Sequence, residues 1–287
     1  MRSQNPRSLT RTASRLGGGL LVVASVWYLA MRIGALDWAT LRASLTPQAW
    51  ALTMLASVAY AGLLSLLAVA WSGQASASRR VSLTVAIVVY GRSLIAKYLP
   101  GSVIQYASRQ WLGSAQGWQQ RGMARASAVE IALHVAICAC LAALLLCRQH
   151  ALALPAAAIA IAAAALVIRL GGPGSARAAL LQLAFFGGFA ALVAAIAWSL
   201  GAPAGAQVMT GWFLTAWLAG FLVPLAPGGI GVREAAMLAL AGHDPRNAGA
   251  ALALGLTLRL VTLAGDAAFS LAAQVLSQRA AVHSVAS

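Results

Sequence analysis

The sequence predicts an all-α integral membrane protein, and three observations carry that prediction. First, 61% of the 287 residues are hydrophobic and only 9% are charged, against about 25% charged in an ordinary soluble domain. Second, apolar segments follow one another from residue 16 to residue 276 with short interruptions. Third, the mean hydropathy is +0.82, more apolar surface than a water-soluble fold can bury. The whole chain, 1–287, reads as one polytopic membrane domain, leaving no room for an attached soluble catalytic domain.

Crossing about 30 Å of hydrocarbon takes close to 20 helical residues. Six stretches qualify as full spans: 16–36, 49–71, 126–147, 151–169, 178–200 and 248–275. Arg2, Arg7, Arg11 and Arg15 precede the first, an arrangement that imitates a signal peptide. Because many spans follow, it is expected to be an uncleaved signal anchor. Two further stretches, 81–112 and 207–242, are interrupted by Lys97-Tyr98-Leu99-Pro100-Gly101-Ser102 and by Pro224-Leu225-Ala226-Pro227-Gly228-Gly229-Ile230-Gly231.

Charge decides how these two are expected to lie. Basic residues favour the cytoplasmic side. With both stretches crossing once, the flanks hold eight Lys/Arg inside and seven outside; with both as re-entrant hairpins, eleven inside and four outside. The hairpin arrangement is therefore expected, with both termini and the loops near Arg79 and Arg121 in the cytoplasm of a cytoplasmic (inner) membrane. It makes residues 1–150 and 151–287 two inverted repeats, each helix, helix, hairpin, helix. The registers agree: Pro100 lies 84 residues after Leu16, and Pro227 lies 76 after Ala151. Paired Gly/Pro-broken segments of this kind point to a transporter's substrate site.

The formal charge of +15 comes from 20 Lys+Arg against 5 Asp+Glu. Topology and attraction to membrane lipids with anionic head groups account for the excess. No basic stretch interleaved with aromatics suits nucleic acid. Cys138, Cys140 and Cys147 fall in one apolar segment, too local for a disulfide framework or zinc site, and read as packing residues. No P-loop, nucleophile elbow, metal-ligand cluster or carboxylate pair placed for glycosyl transfer is present, so neither a cofactor nor an enzymatic activity is expected.

Charges inside apolar spans are the informative residues, since each costs about 2.5 to 3.5 kcal/mol at the bilayer centre unless paired or hydrated. In the first broken stretch Arg92, Lys97 and Arg109 surround the Pro100-Gly101 turn, and Ser102, Gln105, Tyr106 and Arg109 fall at helical spacing on one face. A half-helix beginning at Pro100-Gly101 would aim free N–H groups into the membrane, so a phosphate pocket is expected there. Snorkelling of Lys97 and Arg109 to an interface is the plainer alternative. In the second, Gly228, Gly229 and Gly231 permit positive φ beside Arg233 and Glu234. Glu234 suits a helix start, and Arg233 is the candidate for substrate. Glu130 and His134 share a face, as do Arg259 and Asp266. Mutual neutralisation is expected of Arg259 and Asp266, whereas Glu130 is left open between balancing a hairpin arginine and carrying a proton.

Lys97-Tyr98-Leu99-Pro100-Gly101-Ser102-Val103-Ile104-Gln105-Tyr106, with Arg109 after it, together with Pro227-Gly228-Gly229-Ile230-Gly231-Val232-Arg233-Glu234, resembles the flippase-like transmembrane region of lysylphosphatidylglycerol synthases. The resemblance spans nearly the whole chain. It implies a bundle with re-entrant helices that moves lipids or lipid-linked intermediates between leaflets. Lysine transfer is not implied, because in that family it belongs to an aminoacyltransferase domain that these 287 residues do not include. A glycolipid, phospholipid, hopanoid precursor or polyprenyl phosphate is implied as substrate, and a glycosyltransferase as partner. Arg92, Lys97, Arg109 and Arg233 would hold the anionic head group. Two other readings are an enzyme subunit acting on lipid-linked sugars, with Glu130, Glu234 or Asp37 as its carboxylate, and a non-transporting accessory anchor.

Overall fold

A computed structural model describes residues 46–76, 82–98, 104–223, 226–229 and 231–285. The expected span 16–36, Asp37, the Arg79 loop, Pro100-Gly101-Ser102 and Pro224-Leu225 lie outside the described residues.

Every element among the described residues is helical. Helix α1 (Pro47–Ala75) starts where Thr46 accepts a hydrogen bond from the Ala49 N–H at 3.1 Å and Pro47 supplies a preset φ. Helix α2 (Leu83–Leu94), capped by Ser82, runs into a 3-10 turn at Ile95–Tyr98. Helix α3 (Ile104–Ser114) is the second leg of the first broken stretch, the one expected to return. Three long helices follow, α4 (Gln120–Leu145), α5 (Ala153–Leu170) and α6 (Ser175–Ser199). The second broken stretch is α7 (Ala206–Leu222), a 3-10 turn at Pro227–Gly229 and α8 (Val232–Ala241). Helix α9 (Pro245–Val285) closes the chain.

Five of these, α1, α4, α5, α6 and α9, are long and apolar enough to cross a bilayer, which makes the chain a multi-pass membrane protein. Their ends depart from the hydropathy boundaries in two places. Helix α4 begins six residues before the expected 126, taking in Arg121 and Arg125, and α9 extends ten residues past the expected 275. Charged and polar ends lower hydropathy without breaking a helix, so a hydropathy window ends where the hydrocarbon would, short of the helix itself.

Both broken stretches are interrupted where Pro and Gly cluster, and the two legs of each pack against one another. Helices α1 and α6 run antiparallel: Tyr60 meets Phe185 and Phe189 midway, Gly73 approaches Gly174 at one end, and Trp50 faces Leu200 at the other. The first legs cross over, α2 packing on α9 and α4 on α7. Helix α9 comes close to α2 and α1 because each contact has a glycine on one side, Gly91 of α2 and Gly265 of α9 itself. A Cβ on Gly91 would stand 2.6 Å from that of Ala273, and one on Gly265 would stand 2.8 Å from the Ser57 carbonyl, the small-residue packing typical of membrane helices. Helix α5 has only Ala153, Ala157 and Ala160 buried, leaving its other faces apolar and outward.

Candidate functional site

The two interruptions meet. The Tyr98 ring lies against Gly228, where an added Cβ would come within 3.2 Å of it. Gly228, Gly229 and Gly231 all have positive φ, at 59°, 72° and 80°, so the second turn needs the freedom that the glycine run predicts. Beside this contact lies a cavity of about 320 Å³. Lys97, Tyr98, Gln105, Tyr106 and Arg109 line it from the first broken stretch, Gly228, Gly229 and Arg233 from the second, and Glu130 and His134 from α4. The polar face predicted for the returning leg thus turns inward as Gln105, Tyr106 and Arg109.

Three ion pairs lie in or directly behind its walls. Arg109 is 1% exposed, and its Nη1 donates to Glu130 Oε2 at 2.5 Å while its Nε donates to Ser93 Oγ at 3.3 Å. Tyr90 donates to the other Glu130 oxygen at 2.7 Å. The rings of Tyr90, Trp71 and Tyr106 surround the guanidinium at 4.0, 5.1 and 5.3 Å from their centroids, adding cation–π attraction. Glu130 therefore balances Arg109 of the first broken stretch, one of the two roles the sequence leaves open.

In the second pair, Arg259 on α9 donates through Nε and Nη2 to Glu234 Oε1 at 2.9 and 2.8 Å, and Glu234 Oε2 accepts the Gly231 N–H at 2.8 Å. That carboxylate caps α8 and holds α9 at once. In the third, Lys97 Nζ lies 2.5 Å from Asp266 Oδ2, and the Tyr98 hydroxyl donates to the same oxygen.

These pairings correct one expectation. Arg259 and Asp266 do not neutralise each other; α9 presents one to each interruption, so each meets a nearer partner. Glu130 and His134 also go separate ways, the imidazole Nδ1 lying 2.6 Å from Gln182 Oε1 among Phe186, Trp217 and Phe221.

Arg233 is left over. Among the described residues no carboxylate lies within ion-pair reach of it. Its Nε is buried without a hydrogen-bond partner, and the guanidinium stands 5.5 Å from the centroid of Trp217.

Four other expected site residues, Arg92, Pro227, Gly231 and Glu234, do not line the cavity. Arg92 is exposed on α2, because Tyr90, Ser93 and Lys97 take the inward face and Arg92 lies about 200° around the helix from Tyr90. Gly231 and Glu234 stand behind the wall, and Pro227 opens the second turn. Pro100 and Gly101 are outside the described residues. Conversely, Tyr60, Tyr90, Trp217 and Phe221 line the cavity without having been singled out in sequence. In an apolar chain aromatics look like ordinary lipid-facing residues; only the heptad step from Tyr90 to Lys97 hints at a shared face. Cys138 is buried with its Sγ 3.5 Å from the Leu214 carbonyl, a packing position.

No family model matches this chain, and no curated protein or solved structure is significantly similar to it.

Proposed function

We propose that the protein moves an anionic lipid or lipid-linked intermediate between the leaflets of the cytoplasmic membrane. The observation that carries this reading is Arg233: a guanidinium with no acidic partner among the described residues, at a cavity between two broken helices whose other fixed charges are paired. A cation in an apolar surrounding is costly until an anion joins it. Arginine's terminal nitrogens form a planar fork that suits a phosphate. Tail-bearing substrates reach such a site from the lipid, and the apolar exteriors of the surrounding helices keep their chains solvated.

The architecture supports the same reading. The antiparallel packing of α1 on α6 and the crossed packing of α2 on α9 and of α4 on α7 are what an inverted repeat of 1–150 and 151–287 requires, with the broken stretches as re-entrant hairpins. The two Pro/Gly motifs resemble those of the flippase-like region of lysylphosphatidylglycerol synthases, and the proposal follows that resemblance. Cysteine labelling in a Cys-free background should find positions 79 and 121 on one side of the membrane, together with both termini. Opposite sides for 79 and 121 would remove the first hairpin and the repeat.

The function itself is tested in liposomes carrying a tail-labelled anionic lipid in both leaflets, with an impermeant reductant added outside. With the purified protein present, the inner-leaflet fluorescence should be lost as lipid exchanges. Protection of that pool at the rate of empty liposomes would overturn the reading and favour a non-transporting anchor.

A further inference from the structure

We infer that the cavity is matched to a head group bearing a single net negative charge, a phosphodiester, and discriminates against phosphomonoesters and diphosphates. The inference deepens the flippase reading, but its charge argument rests on the cavity alone.

Among the described residues, the charges around the two interruptions are Lys97, Arg109, Arg233 and Arg259 against Glu130, Glu234 and Asp266. Six of the seven are held in three pairs at 2.5, 2.5 and 2.8 Å. With His134 neutral, the remainder is one positive charge, and it sits on Arg233.

Each of the three pairs already balances one cation with one carboxylate, so a further anion on any of them would bring a charge that the pair does not compensate. The Arg109 guanidinium is boxed by three aromatic rings and Ser93. Arg259 is spent on Glu234 and reaches the Gly228 carbonyl at 3.5 Å. Lys97 is held by an Asp266 that is fully buried. Drawing any of these cations toward a ligand would leave its carboxylate buried and unpaired.

Arg233 is held differently. Its Nε and Cγ are pressed between Gly220 and Gly229, where an added Cβ would lie 2.6 Å from Cγ or 2.8 Å from Nε, and Trp217 stacks beside the guanidinium. The side chain is thus fixed by packing rather than by a counter-charge. A phosphodiester offers two non-bridging oxygens sharing one charge, which the two terminal nitrogens of one arginine can take together. A monoester or diphosphate brings at least one charge more, with no unpaired cation at the cavity among the described residues to receive it. A zwitterionic head group brings a second cation into a site already cationic.

The test is thermal stabilisation of the full chain in detergent by three short-chain lipids that share their tails: phosphatidylglycerol, phosphatidylcholine, and phosphatidic acid at a pH where its monoester carries two charges. A ligand that binds only the folded protein raises Tm in proportion to its affinity. Phosphatidylglycerol should bind about tenfold more tightly than either of the others, a factor that corresponds to less than the cost of one unpaired charge in hydrocarbon. Arg233→Gln should keep its lipid-free Tm and lose the preference. The inference is overturned by phosphatidic acid stabilising as well as phosphatidylglycerol, or by Arg233→Gln retaining the preference. It is also overturned if the preference for the single charge emerges only in Asp37→Asn, which would mean that Asp37, outside the described residues, already neutralises Arg233. Because binding is read without transport, absence of lipid exchange in liposomes would defeat the flippase reading and leave the charge matching standing.

Discussion

The two interruptions differ in how they hold charge, although each stands between two helical legs of a stretch whose sequence breaks at Pro and Gly. At the first, the cation stands on the second leg and the acid on the next long helix: Arg109 on α3 and Glu130 on α4. At the second the order is reversed, with Glu234 on α8 and Arg259 on α9. The reversal has a local cause. Glu234 lies in the first turn of α8 and accepts the Gly231 N–H, a place that favours an acid. Arg233, its neighbour in sequence, then points about 100° away and cannot share the partner. Among the described residues, Arg109 is consequently paired and wrapped in Tyr90, Trp71 and Tyr106, while the second interruption ends in an arginine that pairs with no carboxylate. On the proposed reading, one region stays assembled and the other receives the anionic head group.

The largest test of this contrast is Glu130→Gln. It leaves Arg109, 1% exposed, without a counter-ion, and breaking a buried pair costs about 3 to 5 kcal/mol. Unfolding in mixed micelles should show that loss. The double variant Arg109→Met, Glu130→Leu should recover most of it, since matched removal strands no charge. A loss below about 1 kcal/mol would mean that solvent reaches the first pair and that the regions do not differ in closure.

Glu234→Gln should cost less, about 1 to 3 kcal/mol, because Arg259 is 17% exposed and partly hydrated, although a helix cap is weakened at the same time. The same unfolding series measures it. A loss equal to that of Glu130→Gln would make the two interruptions energetically alike.

How much of this was legible beforehand depends on the distance over which each feature is encoded. The helices α1, α4, α5, α6 and α9 and the positions of both breaks follow from hydropathy and from Pro/Gly, which act within a few residues. The inward face of α3 followed from the spacing of Gln105, Tyr106 and Arg109. Partner choice did not follow. Lys97 and Asp266 lie far apart in the sequence and meet only because α9 packs on α2. The seven-residue step between Arg259 and Asp266 correctly placed them on one face of α9, but that face passes both interruptions, so a shared stripe became two separate pairs. The orientation of Arg92 was readable in principle from Tyr90, Ser93 and Lys97, once the inward face of α2 was anchored by a contact that the sequence alone does not supply.

A smaller perturbation separates the position of Arg233 from its charge. In Gly220→Ala the new methyl would lie 2.6 Å from Arg233 Cγ and 3.2 Å from the Gly229 Cα, so the side chain or the turn must shift, at about 1 to 3 kcal/mol. Lipid exchange should fall while the net charge of the cavity is unchanged. Exchange at the wild-type rate would show that Arg233 need not be held where Gly220 and Gly229 place it.

The smallest expected effect on stability, and the most informative, belongs to Arg233→Ala. Removing a cation that has no carboxylate partner among the described residues breaks no ion pair, and it relieves a buried Nε that has no hydrogen bond. Against this stand the lost contact with Trp217, worth about 0.5 to 2 kcal/mol, and the lost packing of the side-chain stem. These contributions oppose each other, so the melting transition should move by no more than about 1 kcal/mol in either direction. Arg109→Ala, by contrast, strands Glu130 and should destabilise by about 3 to 5 kcal/mol. Function should rank the two interruptions in the opposite order of stability: Arg233→Ala folds and inserts normally yet no longer distinguishes an anionic lipid from a neutral one. A large stability loss in Arg233→Ala, similar to that in Arg109→Ala, would mean that Arg233 has a structural partner after all, and the distinction between a closed and a receiving interruption would collapse.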